Sequence, residues 1–304
     1  MSRPFRSTRR EFLAACAASL AWPALASAAP ARRRRRVPAS DAPKVALVGG
    51  RVILGDGREL AAGVVEFEGE RLVRVAEGST ASAGFSAVDV TGKIVTPGLI
   101  VGLSRLGLVE IGMEDATRDD SRKDDDPVRA AFEVAPAVHA GSSLISVTAM
   151  DGFTSAITAP GGGLISGRSA LVDLLPWDHR GLVAVPHVAM HGALGRTVKG
   201  SRAATLATLR RVLADARLYR ANRRAYDRRQ LRELAAHPAD LDALGPVLDR
   251  KMPLVLRVQR ASDILAAIDL ARSERLRLVL AGCAQGWQVA DELAGAKIPV
   301  IVQP

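Results

Sequence analysis

The sequence predicts an α/β fold, a small β unit running into strands separated by helices. Three observations carry this. From Leu99 onward, short apolar runs alternate with longer helical connections. Before Leu99, residues 44–98 break into short alternating stretches joined by tight glycine turns. The chain has 304 residues and is 48% hydrophobic but only 4% aromatic, enough for a sizeable core built from Ala, Val and Leu. Strand–helix–strand repeats at these intervals demand parallel pairing, either in an open layer or in a barrel.

Residues 1–28 have the parts of an export signal. Arg9-Arg10 precede Glu11-Phe12-Leu13, an apolar run extends to about Trp22, and Ala26-Ser27-Ala28 offers a small-residue cleavage site after Ala28. The paired arginines fit the twin-arginine route, which implies a periplasmic destination. An ordinary secretory signal and a lipoprotein box ending at Cys16 are the alternatives. Pro23 and the shortness of the run argue against a permanent anchor, so no transmembrane anchor is expected after cleavage.

Residues 29–43 form an Arg-rich linker. Arg32 to Arg36 are consecutive, repel one another and lie among Pro and Ala, so a solvated, unpacked segment is expected. This tail explains most of the charge. Residues 1–43 hold nine Arg against Glu11 and Asp41, a net of +7, which leaves +3 of the total +10 for all that follows. Basicity held in a tail makes nucleic acid an unlikely partner for the folded part. Arg32–Arg36 themselves suit anionic envelope polymers.

Residues 44–98 read as an antiparallel β unit. "VALVGGRVIL" has apolar residues either side of a Gly-Gly turn, and "GVVEFEGERLVRVAEG" alternates like a half-buried hairpin. Residues 99–304 carry the strand–helix repeats. The expected strands are 99–103, 154–159, 182–188, 254–258, 276–280 and 300–302. The expected helices are 201–226, 261–274 and 287–296, with Ala261-Ser262-Asp263 as a helix start. Gly161, Gly162 and Gly163 follow a strand and are expected to form a flexible βα loop, the kind that builds the functional face of a barrel.

"EDATRDDSRKDDDP" at 114–127 is dense in Asp. Its spacing does not match a calcium loop and Arg118, Arg122 and Lys123 interrupt it, so a solvated loop is expected. Cys283 is the one thiol left beyond the signal. It has no His nearby in sequence and reads as a buried structural thiol. The serines of "GRSAL" and "GSSLI" lack the nucleophile-elbow pattern.

Four segments in order, "VALVGGRVILGDG", "VTGKIVTPGLI", "DGFTSAITAPGGGLISG" and "PLVLRVQRASDILAAIDLA", resemble the amidohydrolase superfamily. The likeness runs from Val45 to the C-terminus and is nearest to the imidazolonepropionase-like and N-acetylglucosamine-6-phosphate-deacetylase-like branches. It implies a (β/α)8 TIM-type barrel preceded by a β-sandwich-like unit. It also implies hydrolysis of C–N bonds by a metal-activated water, whose pKa a zinc-type ion lowers towards neutrality. With about six barrel strands in view and a strand at Val300–Val302, an incomplete barrel is expected. Either the chain is a truncated product of a longer gene or a second chain completes it.

The metal pattern itself is degenerate. After "PGLI" the family reads Asp-x-His-x-His, and the His positions here hold Leu103 and Arg105. On a later strand the family's His-x-His becomes Arg257 and Gln259, and a further His position holds Gly282. Arg196 stands where the family often has an acidic ligand. Leu has no lone pair, and Arg is a permanent cation that repels a metal. The resemblance therefore implies a protein with no catalytic residues and no metal or other cofactor, a pseudoenzyme of this fold. Its ligand would be a small anion at Arg105, Arg257 and the Gly161–Gly163 loop. The alternative is an active metal-dependent C–N hydrolase with an unconventional site holding zinc or another divalent ion. His187 and His191, four apart near a strand end, are its candidate ligands.

Overall fold

The computed structural model describes residues 42–121, 125–195 and 200–303. The signal, Arg32–Arg36, Arg122, Lys123 and Arg196 lie outside the described residues. Among those described, no helix is long and apolar enough to cross a membrane.

The chain divides into two compact units, one reaching Gly50 and including Ala61–Gly92, the other made of Arg51–Leu60 and Lys93–Pro304. The smaller unit holds most of strands β1 (Lys44–Ile53) and β2 (Glu59–Glu68), together with β3 (Arg71–Glu77) and β4 (Ser86–Asp89). The β2–β3 hairpin forms as its alternation predicts, with Val65 opposite Val75 and Val64 and Ala46 buried. Two expectations are corrected. The Gly49-Gly50 pair does not turn the chain, because β1 continues straight through it. Gly49 takes φ +83°, and a Cβ there would lie 2.5 Å from Thr91 Oγ1, so glycine serves close approach rather than reversal. Nor is the unit wholly antiparallel, since β4 runs parallel to β1 with Val45 opposite Ser86.

The larger unit opens with β5 (Ile94–Val95), parallel to the end of β1 at Arg51 and Val52. It then builds two sheets. The first has the order β10-β9-β7-β6, from β6 (Leu99–Ser104), β7 (Phe153–Thr158), β9 (Ala170–Asp173) and β10 (Val183–Val185). The second has the order β14-β13-β12-β11-β8, from β8 (Ile165–Arg168), β11 (Met190–Ala193), β12 (Leu254–Val258), β13 (Leu278–Gly282) and β14 (Val300–Val302). Pairing is parallel between β6 and β7 and through β11, β12, β13 and β14, as the strand–helix rhythm predicts. Among the described residues these strands form two sheets and no closed barrel.

Helices connect them: α1 (Ser143–Met150), α2 (Arg202–Ala221), α3 (Arg223–Asp227), α4 (Pro238–Ala243), α5 (Gly245–Leu248), α6 (Ala261–Glu274) and α7 (Ala290–Ala296). The predicted helix 201–226 starts where expected, with Ser201 Oγ accepting from the Ala204 amide, but breaks at Asn222, whose side chain donates to Leu218 O. The main core lies between α2, α6 and the second sheet. Leu209, Val212, Leu213, Leu254, Leu256, Ile264 and Leu280 are all fully buried there. Each such side chain contributes roughly 1.5–3 kcal/mol by leaving water. Asp215 sits within this apolar face of α2, fully buried. It accepts from the Ala235 amide at 2.8 Å and pairs with Arg232, which holds its carboxyl below the usual range despite burial.

Three more readings change. The strand expected at 182–188 is reduced to β10, an antiparallel edge, and the parallel strand that follows it is β11. β11 is the short run Met-His-Gly-Ala, with no β-branched residue to announce it. β8 and β9 are additional. The glycine triplet therefore joins two strands, β7 and β8, instead of a strand and a helix. Cys283, just past β13, is free and buried, and burial pushes its thiol pKa up.

Candidate functional site

A cavity of about 290 Å³ opens at the C-terminal ends of β6, β7, β11, β12 and β13. Parallel pairing makes this placement unavoidable. Chain-equivalent strand ends point the same way, and the residues just beyond them converge. β6 delivers Leu103, Ser104 and Arg105; β11 delivers His191; β12 delivers Val255 and Arg257; β13 delivers Ala281.

The floor is hydrocarbon. Leu103 packs with the buried Ala189, Val255 and Ala281. Leu103, the first of the two positions where the family resemblance expects histidine, thus carries a side chain that seals the core below the cavity.

The second position, Arg105, stands in the wall. Its Nε lies 3.2 Å from Asp120 Oδ2, and the Asp120 side chain is only 2% exposed. Arg118 approaches the other oxygen of Asp120 at 3.8 Å and also pairs with Asp115 at 3.9 Å. This corrects the solvated-loop reading of 114–127. Glu114, Asp115, Ala116, Asp119 and Asp125 are exposed, but Asp120 turns inward and clasps Arg105. Its main chain also helps, since Asp120 O accepts from the Gly161 amide at 2.8 Å.

Gly161 and Gly162 line the cavity, and Gly163 does not. A Cβ on Gly161 would lie 3.2 Å from Asp120 Oδ2 and 3.3 Å from Arg105 Nη2, so the missing side chain is what lets the guanidinium lie flat against the loop. Gly162 takes φ +78° with Arg129 Nη1 3.3 Å from where its Cβ would be. Gly163 instead packs on Pro127 O.

Arg257 also lines the cavity, exposed, and its side chain has no ion pair among the described residues. Beside it His191 is buried, 6% exposed, and its Nε2 has no hydrogen-bond partner among the described residues. Burial, reinforced by the charge of Arg257, lowers the His191 pKa to about 4. The ring is therefore neutral at pH 7.

The remaining candidates lie elsewhere. Gln259 accepts from the Ala284 amide at 3.2 Å, and a Cβ on Gly282 would sit 2.5 Å from the Gln259 amide nitrogen. These two pack against each other, Gln259 just past β12 and Gly282 at the last position of β13, and neither lines the cavity. His187 is exposed and pairs with Glu133 at 3.2 Å, while Glu133 also binds Arg168. His187 lies in the link that leaves β10 of the first sheet and turns to Glu133, whereas His191 lies within β11 of the second sheet. Sequence reasoning missed Asp120 and the buried Ser166 of the cavity wall. Only the density of Asp in 114–127 hinted at the first, and nothing marked the second.

A divalent metal does not fit this set. Among the described residues no group of three or more His, Cys, Asp or Glu is arranged to hold one. The cavity lining offers a single imidazole and two guanidinium groups, which lack lone pairs for a metal and carry the wrong charge.

The fold is similar to that of an amidohydrolase from Thermotoga maritima MSB8, at a TM-score of 0.73 and 21% identity, over 86% of this chain and 70% of that one. A prolidase complexed with N-methylphosphonate-L-proline aligns at a TM-score of 0.41 and 13% identity, over 86% of this chain and 66% of that one, too low to define a common fold. No family model matches the chain, and none of the curated proteins matches it. The architecture is thus an amidohydrolase-like α/β fold.

Proposed function

We propose that this chain is an exported, amidohydrolase-like binding protein that holds a small anion at its strand-end cavity in place of a hydrolytic metal. The observation that carries the reading is that Arg105, Arg257 and the buried, neutral His191 line one cavity. Unit charges 4 Å apart at an effective dielectric of about 20 interact by roughly 4 kcal/mol, and a dication doubles that. Arg257, joined by Arg105 whose charge Asp120 partly offsets, therefore opposes a metal and favours an anion by the same mechanism. Guanidinium geometry suits carboxylate and phosphate oxygens. The export component rests on Arg9-Arg10 and Ala26-Ser27-Ala28.

Two measurements on the natively purified chain test the reading. Metal analysis should find substoichiometric zinc, manganese and iron. Thermal unfolding should shift upward with millimolar acetate or phosphate, and Arg105→Gln combined with Arg257→Gln should abolish the shift. A stoichiometric divalent ion, or an anion effect untouched by the double substitution, overturns it. A second reading draws on His191, an imidazole at a strand end inside the cavity: a metal-dependent C–N hydrolase with an unconventional site. It requires amide or cyclic-amide turnover that a chelator removes.

A further inference from the structure

We infer that the cavity is built for a small monoanionic carboxylate that carries one neutral hydrogen-bonding group on a short aliphatic body, an inference that rests on the anion-site reading above. The charge balance around the cavity gives the ligand's charge. Arg105 and Arg118 face two carboxylates, Asp120 and Asp115, at 3.2, 3.8 and 3.9 Å. That group of four is neutral as a whole. Among the described residues no Asp or Glu lines the cavity. Arg257 is left without a counter-charge among the described residues, so one negative charge completes the site. A carboxylate supplies one. A phosphate monoester or inorganic phosphate brings about 1.5 to 2 at pH 7 and leaves negative charge unbalanced against an apolar floor.

The neutral group follows from His191. A neutral imidazole has one N–H donor and one lone pair, and its Nε2 is unpartnered and buried. A buried unsatisfied nitrogen costs about 1–3 kcal/mol, which a ligand hydroxyl or carbonyl recovers. Its register places it close to the carboxylate-binding group: His191 pairs with Val255 and Ala193 with Arg257, on neighbouring parallel strands. Leu103, Ala159, Val255 and Ala281 contribute the apolar wall for the ligand's body. The volume of about 290 Å³ lies at the lower edge of the usual range of about 300–1,000 Å³ for small-molecule sites, which restricts the ligand to a few carbons.

Isothermal titration of the full chain with four probes tests this: 3-hydroxybutyrate, butyrate, inorganic phosphate and uncharged 1,3-butanediol. The expected order puts 3-hydroxybutyrate first, several-fold tighter than butyrate and about tenfold or more tighter than phosphate or the diol. His191→Asn should bring the affinity ratio of 3-hydroxybutyrate to butyrate close to one, and Arg257→Gln should weaken both carboxylates about tenfold or more. The comparison of probes on the unaltered chain needs no variant to fold. Phosphate binding as tightly as the carboxylates, in a manner that Arg257→Gln removes, overturns the monocarboxylate inference and leaves the anion site standing. Equal binding of butyrate and 3-hydroxybutyrate overturns the second polar contact. No Arg257-dependent binding of any anion overturns both readings together.

Discussion

Asp120 Oδ2 lies 3.2 Å from Arg105 Nε although the two residues are fifteen positions apart, one just past a strand and one in an acidic loop. The carboxylate is buried and the guanidinium half-exposed, so the pair fixes the direction of Arg105 at the rim of the cavity. Asp120→Asn keeps the shape and removes the charge. Stability should fall by about 1–3 kcal/mol in urea titration, because a buried charge-assisted contact is lost. Anion affinity should rise, because Arg105 gains an uncompensated charge; titration calorimetry with acetate measures it, and a fall in affinity would contradict this view of the pair.

Gly161 should tolerate a methyl group only at the expense of that geometry. The added Cβ meets Asp120 Oδ2 at 3.2 Å and Arg105 Nη2 at 3.3 Å, contacts that a side chain can relieve by moving a few tenths of an ångström. Gly161→Ala should therefore leave the unfolding midpoint nearly unchanged and weaken anion binding. Gly192→Ala is the contrasting case, because its Cβ would fall 2.3 Å from the main-chain oxygen of Leu164. That oxygen cannot swing away, so a loss of about 1–3 kcal/mol or more is expected from overpacking. Parallel denaturation curves compare the two.

His191 gives the fold an acid sensitivity of definite sign. In the unfolded chain the imidazole titrates near 6.5, and in the folded chain it titrates near 4. The unfolded state binds the proton first. The stabilisation is complete above pH 6.5 and is lost as pH falls from 6.5 through 4. In the limit it amounts to roughly 3 kcal/mol. Urea midpoints between pH 4 and 7 should fall more steeply for the unaltered chain than for His191→Asn, and coincident slopes would refute the assignment.

Leu256 stands fully buried in β12, directly beneath the strand end that bears Arg257. Leu256→Ala should cost about 2–5 kcal/mol through lost burial and a residual cavity. Its effect on anion binding should be small wherever the protein remains folded, which separates the scaffold from the site.

Much of the larger unit was legible because its strands are strong hydrophobic runs. β12 and β14 fall where expected, as does α6, whose Asp263 lies in the first turn. β13 begins two residues later than the apolar run at 276, since Leu276 is buried in the approach to the strand and its amide bonds to Ala271 O. β8 and β11 were illegible for a common reason. Apart from Ile165 and Met190 they are built from Ser, Gly, Arg, His and Ala, whose strand propensity is weak, and neighbouring strands pair with them. At the site, Arg105 and Arg257 could be found by setting the chain beside a family pattern, as could Leu103. Gln259 and Gly282 were found the same way but stand outside the cavity: Gln259 lies past the end of β12, and Gly282, next to the lining Ala281, takes the other face of β13. Asp120 had no sequence signature, since its partner is chosen by the path of the loop and not by spacing.

The strand order has one mechanical consequence. Arg105 extends from the sheet that contains β6, and Arg257 from the sheet that contains β12. The chain passes from the first sheet to the second through Gly161–Leu164 and returns at Ser169, so β8 is strapped between them at both ends. The gap between the two guanidinium groups is thus a caliper whose jaws belong to different sheets. A guest that touches both jaws fastens one sheet to the other, and the slack in the caliper sets how large that guest can be.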